Sequence, residues 1–327
     1  MTDLHVNYMG IRLKNPLIIS SSSLTGTLDG IKKAAASGAG ALVLKSLFEE
    51  QIIADLNTDT QGMDDYSHPE ASEYLAGLGM QLGPRDYLEL IKQAKSQVDI
   101  PLIASVNCVG QRWWEEYATQ LSLSGADGVE VNISVLPRSV TETSHSVEKY
   151  ILGIIEKIST HLTIPFSVKL GPYFTALPHL ATDIRRLGAK GLVLFNRFYQ
   201  FDIDLDNVGL TAGIQFSTPQ DYNTTLRWLS ILHGHVGMDL VGSTGVHDGK
   251  TLVKMLLAGA VGVQVCSAIY KHGYPIVGQM LKTLEDWMNI KGYTKVEDII
   301  GMLSQEHSDQ PELYERLQYI KALTKIY

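Results

Sequence analysis

Residues Gly128–Arg138 read GVEVNISVLPR. Val129-Glu130-Val131-Asn132-Ile133 is an apolar, β-rich run, as expected of a strand buried in a parallel sheet. The chain then breaks into an irregular polar loop, and the break offers an amide, a hydroxyl and a guanidinium in Asn132, Ser134 and Arg138. In parallel α/β proteins the chemistry sits at the C-terminal ends of strands. This stretch therefore predicts a buried strand with a site at its tip.

Seven further runs have the same character: Leu17–Ser22, Ala41–Ser46, Leu102–Asn107, Phe166–Leu170, Gly191–Asn196, Asp239–Ser243 and Gly262–Ser267. Segments of helical period separate most of them, among them Asp86–Gln97, Trp113–Leu123, Val147–His161, His179–Leu187, Thr218–Leu232 and Gly249–Ala258. The second, fourth, sixth and eighth runs follow Gly38-Ala39-Gly40, Gly125-Ala126-Asp127, Gly188-Ala189-Lys190 and Gly259-Ala260-Val261. Each supplies a glycine where a helix must stop and turn tightly into a strand. The third and fifth follow Ile100-Pro101 and Ile164-Pro165, where proline ends the preceding element. Eight βα units predict a (β/α)8 barrel of class α/β, which needs about 250 residues. The 327 residues leave room for inserted loops at Leu47–Arg85 and Phe198–Thr218 and for a helical C-terminal extension from about Tyr274. No composition shift marks a linker, so one domain over residues 1–327 is expected.

Composition narrows the partners. Apolar residues make up 45% of the chain, enough for a large core, and the net charge of −8 with no basic cluster argues against nucleic acid. No run is long enough for a signal peptide or a membrane span. The two cysteines, Cys108 and Cys266, lack metal-type spacing, so a reduced, cytoplasmic protein with no metal site is expected.

The strand ends carry a polar ring: Ser20–Ser23, Lys45 with Ser46, Asn107, Asn132 with Ser134, Lys169, Asn196 with Arg197, Ser243-Thr244-Gly245, and Cys266-Ser267. A single polar residue ending a strand is usually a cap or a loop contact. Two lysines and three asparagines converging on one mouth point to a ligand, because buried polar groups must find partners. Gly242–Gly245 and Cys266-Ser267 place small residues and hydroxyls at the last two tips, before helices, where barrels of this kind bind phosphate. Cys266 reads there as a small filler rather than a nucleophile. Lys169, among apolar strand residues, could stabilise negative charge on a flat heterocycle. Pairing with a carboxylate such as Glu130 is the structural alternative.

On these residues the chain resembles the dihydroorotate dehydrogenase family. The likeness runs through Asn15-Pro16, Leu44-Lys45-Ser46, Val131-Asn132-Ile133-Ser134, Ser167-Val168-Lys169-Leu170 with Gly171-Pro172-Tyr173-Phe174, Phe195-Asn196, Gly242–Val246 and Met288–Tyr293. The resemblance implies an FMN-binding barrel that oxidises dihydroorotate to orotate in pyrimidine synthesis, similar to the soluble class 1 branch and homo-oligomeric. It places Ser21, Ser22, Lys45, Ser46, Asn107, Asn132 and Lys169 around the flavin ring and ribityl chain. Ser243, Thr244, Gly245, Cys266 and Ser267 would hold the phosphate beside Gly242. Lys45, Asn132 and Asn196 would also reach a small-molecule substrate.

The departures fall at the catalytic end. The family's general base is a cysteine or serine directly after the Asn-Leu-Ser motif; here Asn132-Ile133-Ser134 is followed by Val135, which cannot accept a proton. Substitute bases within reach of the loop are Ser134, Arg138 and His145, and the asparagine usual near Gly79 is absent. A different unsaturated or heterocyclic substrate is therefore one alternative. A non-redox phosphate-ligand barrel, an isomerase or an aldolase using Lys45 or Lys169 as a Schiff-base amine, is another.

Overall fold

A computed structural model describes residues 2–52, 83–110, 114–137, 139–197, 200–213 and 216–324. The eight runs form one closed ring of parallel strands: Leu17–Ile19, Ala41–Val43, Leu102–Cys108, Gly128–Ile133, Phe166–Leu170, Gly191–Leu194, Asp239–Gly242 and Gly262–Val265. Neighbours in sequence are neighbours in space, and the eighth strand returns to the first through Val263↔Leu17 and Val265↔Ile19. Strands with both faces covered explain why these runs are apolar throughout.

Several strands are shorter than the apolar pattern suggests. The second, sixth and eighth leave the ladder at Val43, Leu194 and Val265, so their polar ends curl into the mouth. The curled backbone finds new partners: Lys45 N–H donates to the Thr25 carbonyl at 3.3 Å and Asn196 N–H to the Leu170 carbonyl at 2.7 Å. Tyr87, on the helix Pro84–Lys95, fills the gap this leaves beside the third strand. Its hydroxyl accepts from Ser105 N–H at 2.8 Å and donates to the Ser105 carbonyl at 3.1 Å.

The repeated helix-to-strand glycines Gly38, Gly125, Gly188 and Gly259 all have left-handed backbones, with φ between +92° and +119°. This is the conformation that selects glycine after a helix. The helices Trp114–Leu123, Ser144–Ser159, Leu177–Arg186, Tyr222–Leu232 and Gly249–Ala258 lie where the periodicity puts them, within a few residues. In the inserted segment after the sixth strand, Gln200–Asp204 pairs antiparallel with Gly209–Gly213. The extension provides the helix Pro275–Lys291, which buries Val277, Met280, Leu284 and Met288, and ends in Tyr314–Thr324.

One element escaped the pattern. Val6–Tyr8 and Ile11–Leu13 form a hairpin beneath the barrel. Tyr8 is fully buried, and Met9 N–H donates to Asp239 Oδ2 at 2.7 Å at the start of the seventh strand. A Cβ on Gly191 would lie 2.8 Å from Tyr8 Cε2 and 3.2 Å from Ser167 Cβ, so glycine makes the room for the plug.

Gly191→Ala is therefore expected to overpack the barrel floor and destabilise the protein by about 1–3 kcal/mol. The measurement is urea unfolding, with a lowered midpoint at unchanged m-value.

Candidate functional site

Strand register explains how the site assembles. Asn107, Asn132 and Lys169 stand in register across the third, fourth and fifth strands, and Ser105, Glu130 and Ser167 form the row one step below. Side chains on matched positions of parallel strands point to one face. The two rows are thus consecutive layers of the barrel interior, the usual way such a barrel fills.

A buried charge pair joins the two layers. Glu130 is 1% exposed and Lys169 5%. Lys169 Nζ lies 3.3 Å from Glu130 Oε1, 2.7 Å from Gln264 Oε1 and 3.3 Å from Ser20 Oγ. Gln264 Nε2 donates to Glu130 Oε2, and Ser20 Oγ donates to Gln264 Oε1 at 3.0 Å, so the network closes on itself. Burial and then the Glu130 charge push the Tyr8 phenol far above its ordinary range, and the Ser167 hydroxyl lies against it. The pairing of Lys169 with Glu130 is present, and the ammonium is fixed near the axis beneath the mouth.

Tyr8 Oη and Ser167 Oγ have no hydrogen-bond partner among the described residues, and the upper layer leaves a further acceptor open. Asn132 is buried, yet its Oδ1 has no hydrogen-bond partner among the described residues. Asn107 Nδ2 donates to Ser134 Oγ at 3.2 Å, so Ser134 belongs to the ring as a hydrogen-bond partner of Asn107. Ser21 Oγ, Ser46 Oγ and Ser105 Oγ form a chain of hydroxyls with steps of 3.0 and 2.8 Å. Lys45 is half-buried next to Ser46, and no hydrogen bond or ion pair joins its Nζ to the described residues. Asn196 is half-buried at the sixth tip.

At the seventh tip the backbone turns sharply. Thr244 and Gly245 have φ of +72° and +78°. A Cβ on Gly245 would lie 2.2 Å from the amide nitrogen of Tyr222, the first residue of the helix Tyr222–Leu232. Only glycine allows that approach. Ser243 N–H donates to the Leu194 carbonyl at 2.6 Å, and Thr244 Oγ1 donates to the Phe195 carbonyl at 3.1 Å. At the eighth tip Cys266 precedes the short helix Ser267–His272, and Ser267 Oγ accepts from Ser217 N–H at 3.1 Å. Burial raises the Cys266 thiol, against the pull of a Ser22 hydrogen bond and the Lys169 charge. Cys108 is raised well above its usual value by burial and by Glu49.

Sequence reasoning missed three polar features here. Gln264 sits inside an apolar run, and the only signal was a polar residue between two valines. Glu49 is buried, with its carboxylate accepting from the Val109 and Gly110 amides at 2.9 and 2.7 Å. Ser217 and His247 meet at 3.0 Å beside the seventh and eighth tips, where burial and the Lys271 charge hold the imidazole below its ordinary value. Of the substitute bases, His145 is exposed on the first turn of the helix Ser144–Ser159. Arg138 and the stretch around Gly79 lie outside the described residues.

Comparison with known proteins adds an independent line. The family described as Dihydroorotate dehydrogenase matches residues 3–288. A Thermoplasma volcanium protein named dihydroorotate dehydrogenase B (NAD(+)), catalytic subunit, is 24% identical over 92% of this chain and 99% of its own. An Escherichia coli protein named NAD-dependent dihydropyrimidine dehydrogenase subunit PreA is also 24% identical, over 92% of this chain and 76% of its own. Among solved structures, the dihydroorotate dehydrogenase of Eimeria tenella in complex with ferulenol has the same fold. Its TM-score is 0.66 at 16% identity, with 92% of this chain and 88% of that one covered.

Two outcomes follow from the geometry. Glu130→Leu strands the Lys169 ammonium in the barrel and is expected to cost about 3–5 kcal/mol, much of it recovered in the double variant with Lys169→Met; denaturant unfolding of the pair and both singles measures this. With both thiols protonated at neutral pH, iodoacetamide should alkylate the native protein at least ~10-fold more slowly than the urea-unfolded chain. Mass spectrometry of quenched samples gives the rates.

Proposed function

The chain belongs to the dihydroorotate dehydrogenase family, and on that premise we propose that it is an FMN-dependent oxidoreductase acting on a C–C bond of a small, flat substrate. The observation that carries the reading is the orphaned Asn132 Oδ1, a buried acceptor on the strand position that pairs with Lys169, whose ammonium is fixed. Such a group costs stability unless a ligand completes it.

The residues fit FMN. Ser21, Ser22, Lys45, Ser46, Asn107, Asn132, Lys169 and Asn196 would surround its ring and ribityl chain. Gly242–Gly245 with Cys266 and Ser267 would take the phosphate, where Gly245 admits the backbone closely. Bound FMN supplies the hydride acceptor. Lys169, oriented by Glu130, Gln264 and Ser20, offers a positive charge that favours negative charge on the bound ring without reorganising. Asn132 and Lys45 orient the substrate. We read residues 1–327 as one such domain, cytoplasmic and homo-oligomeric. Among the described residues no helix is long and apolar enough to cross a membrane.

The substrate is the finer question. Val135 is half-buried and packed against the core, so the position of the family's base holds no proton acceptor. This favours a substrate other than dihydroorotate, oxidised or reduced without a base at that position. The family assignment and the engagement of Lys169 by three partners both weigh against a Schiff-base aldolase.

Purified protein is expected to show flavin absorbance or to take up FMN stoichiometrically, and a colourless protein that binds none would overturn the proposal. Under anaerobic titration, dihydroorotate should bleach the flavin slowly. Val135→Cys should raise that rate by about 10²-fold or more if loss of the base is what limits it. An unchanged rate in the variant would assign the departure to substrate choice.

A further inference from the structure

Outside the barrel mouth, one cluster among the described residues brings three metal-ligating side chains together: His233, Glu306 and His307, each offering an atom within 4.8 Å of the others. They come from distant parts of the chain. His233 caps the C-terminus of the helix Tyr222–Leu232, and Glu306 and His307 lie on the single turn Gln305–His307 of the C-terminal extension.

The surroundings are shaped for these groups. Gly301 N–H donates to the Leu256 carbonyl and Leu303 N–H to the Leu257 carbonyl, both at 2.9 Å, which stitches the extension onto the helix Gly249–Ala258. A Cβ on Gly301 would lie 2.0 Å from His233 Nε2, and one on Gly234 would lie 1.8 Å from Glu306 Oε2. Two glycines therefore leave the space that the imidazole and the carboxylate occupy. Both imidazoles are also oriented through protein contacts. His307 Nδ1 is 3.1 Å from Ser304 Oγ, which leaves Nε2 for another partner, and the Gly259 backbone hydrogen-bonds the His233 ring. The two rings lie side by side, with centroids 6.3 Å apart. A ligating histidine commonly uses its second nitrogen in this way.

We propose that His233, Glu306 and His307 form a binding site for a divalent transition ion of the zinc type, which clips the C-terminal extension to the barrel. Two imidazoles and one carboxylate are a donor set for such an ion, with remaining positions open to water. The site lies on the side of the barrel where helices run back into strands, away from the mouth, so its role is architectural.

The test is calorimetric titration of zinc chloride into full-length, tag-free protein that has been treated with a chelator. The wild type is expected to bind about one ion per chain, and zinc should raise its thermal midpoint by a few degrees. His307→Ala and Glu306→Gln, both at exposed positions, should fold normally, keep the wild-type flavin spectrum and weaken zinc binding by at least ~10-fold. Absence of saturable binding by the wild type, or equal affinity in both variants, would overturn the site.

Discussion

An ion pair enclosed in a barrel constrains everything built around it. Taking Glu130 and Lys169 out of water costs several kcal/mol per ion, and their attraction offsets this only when every remaining donor and acceptor is met. Gln264 and Ser20 meet that demand from the eighth strand and just past the first, so the pair ties together strands far apart in sequence. Removing either ion strands the other. The same constraint fixes the ammonium beneath the mouth, where a ligand can meet it.

Above the pair, satisfaction stops. The hydroxyl chain of Ser21, Ser46 and Ser105 is internally complete, and Asn107 has found Ser134. Asn132 Oδ1 has no such neighbour. Ser167 Oγ and the Tyr8 hydroxyl beneath it are also without a partner among the described residues, but only Asn132 stands on the row nearest the strand tips, which is why the ligand proposal rests on it. The fourth-strand loop then decides what chemistry can follow. With Val135 packed against the core, the loop gives apolar contact at the position where the family resemblance implies a proton acceptor.

The barrel was legible because its signals are local. Glycines such as Gly125 and Gly188 mark left-handed helix ends, and runs such as Phe166–Leu170 are apolar because both faces are covered. The ring of polar tips was legible for the same reason, since each tip follows its own strand. Long-range partners were not. Nothing near Glu130 announces Gln264, which is 134 positions away, and nothing in Val6–Leu13 shows that this short hairpin will close the floor. Strand ends also read too long, because polar tips such as Lys45 and Asn196 exchange ladder bonds for loop partners that composition does not reveal.

The floor has a consequence for timing. Tyr8 is fully buried beneath the charged layer, and Gly191 is shaped to accept it. Among the described residues the barrel is closed at that end, and the polar strand tips lie at the other. Two small molecules that reacted near the axis from that side would compete for one space, and the first would have to leave before the second could take its place. Under the proposed flavin chemistry such a vessel would work in alternating half-turnovers, and its steady-state rates would follow the parallel-line pattern of a ping-pong scheme.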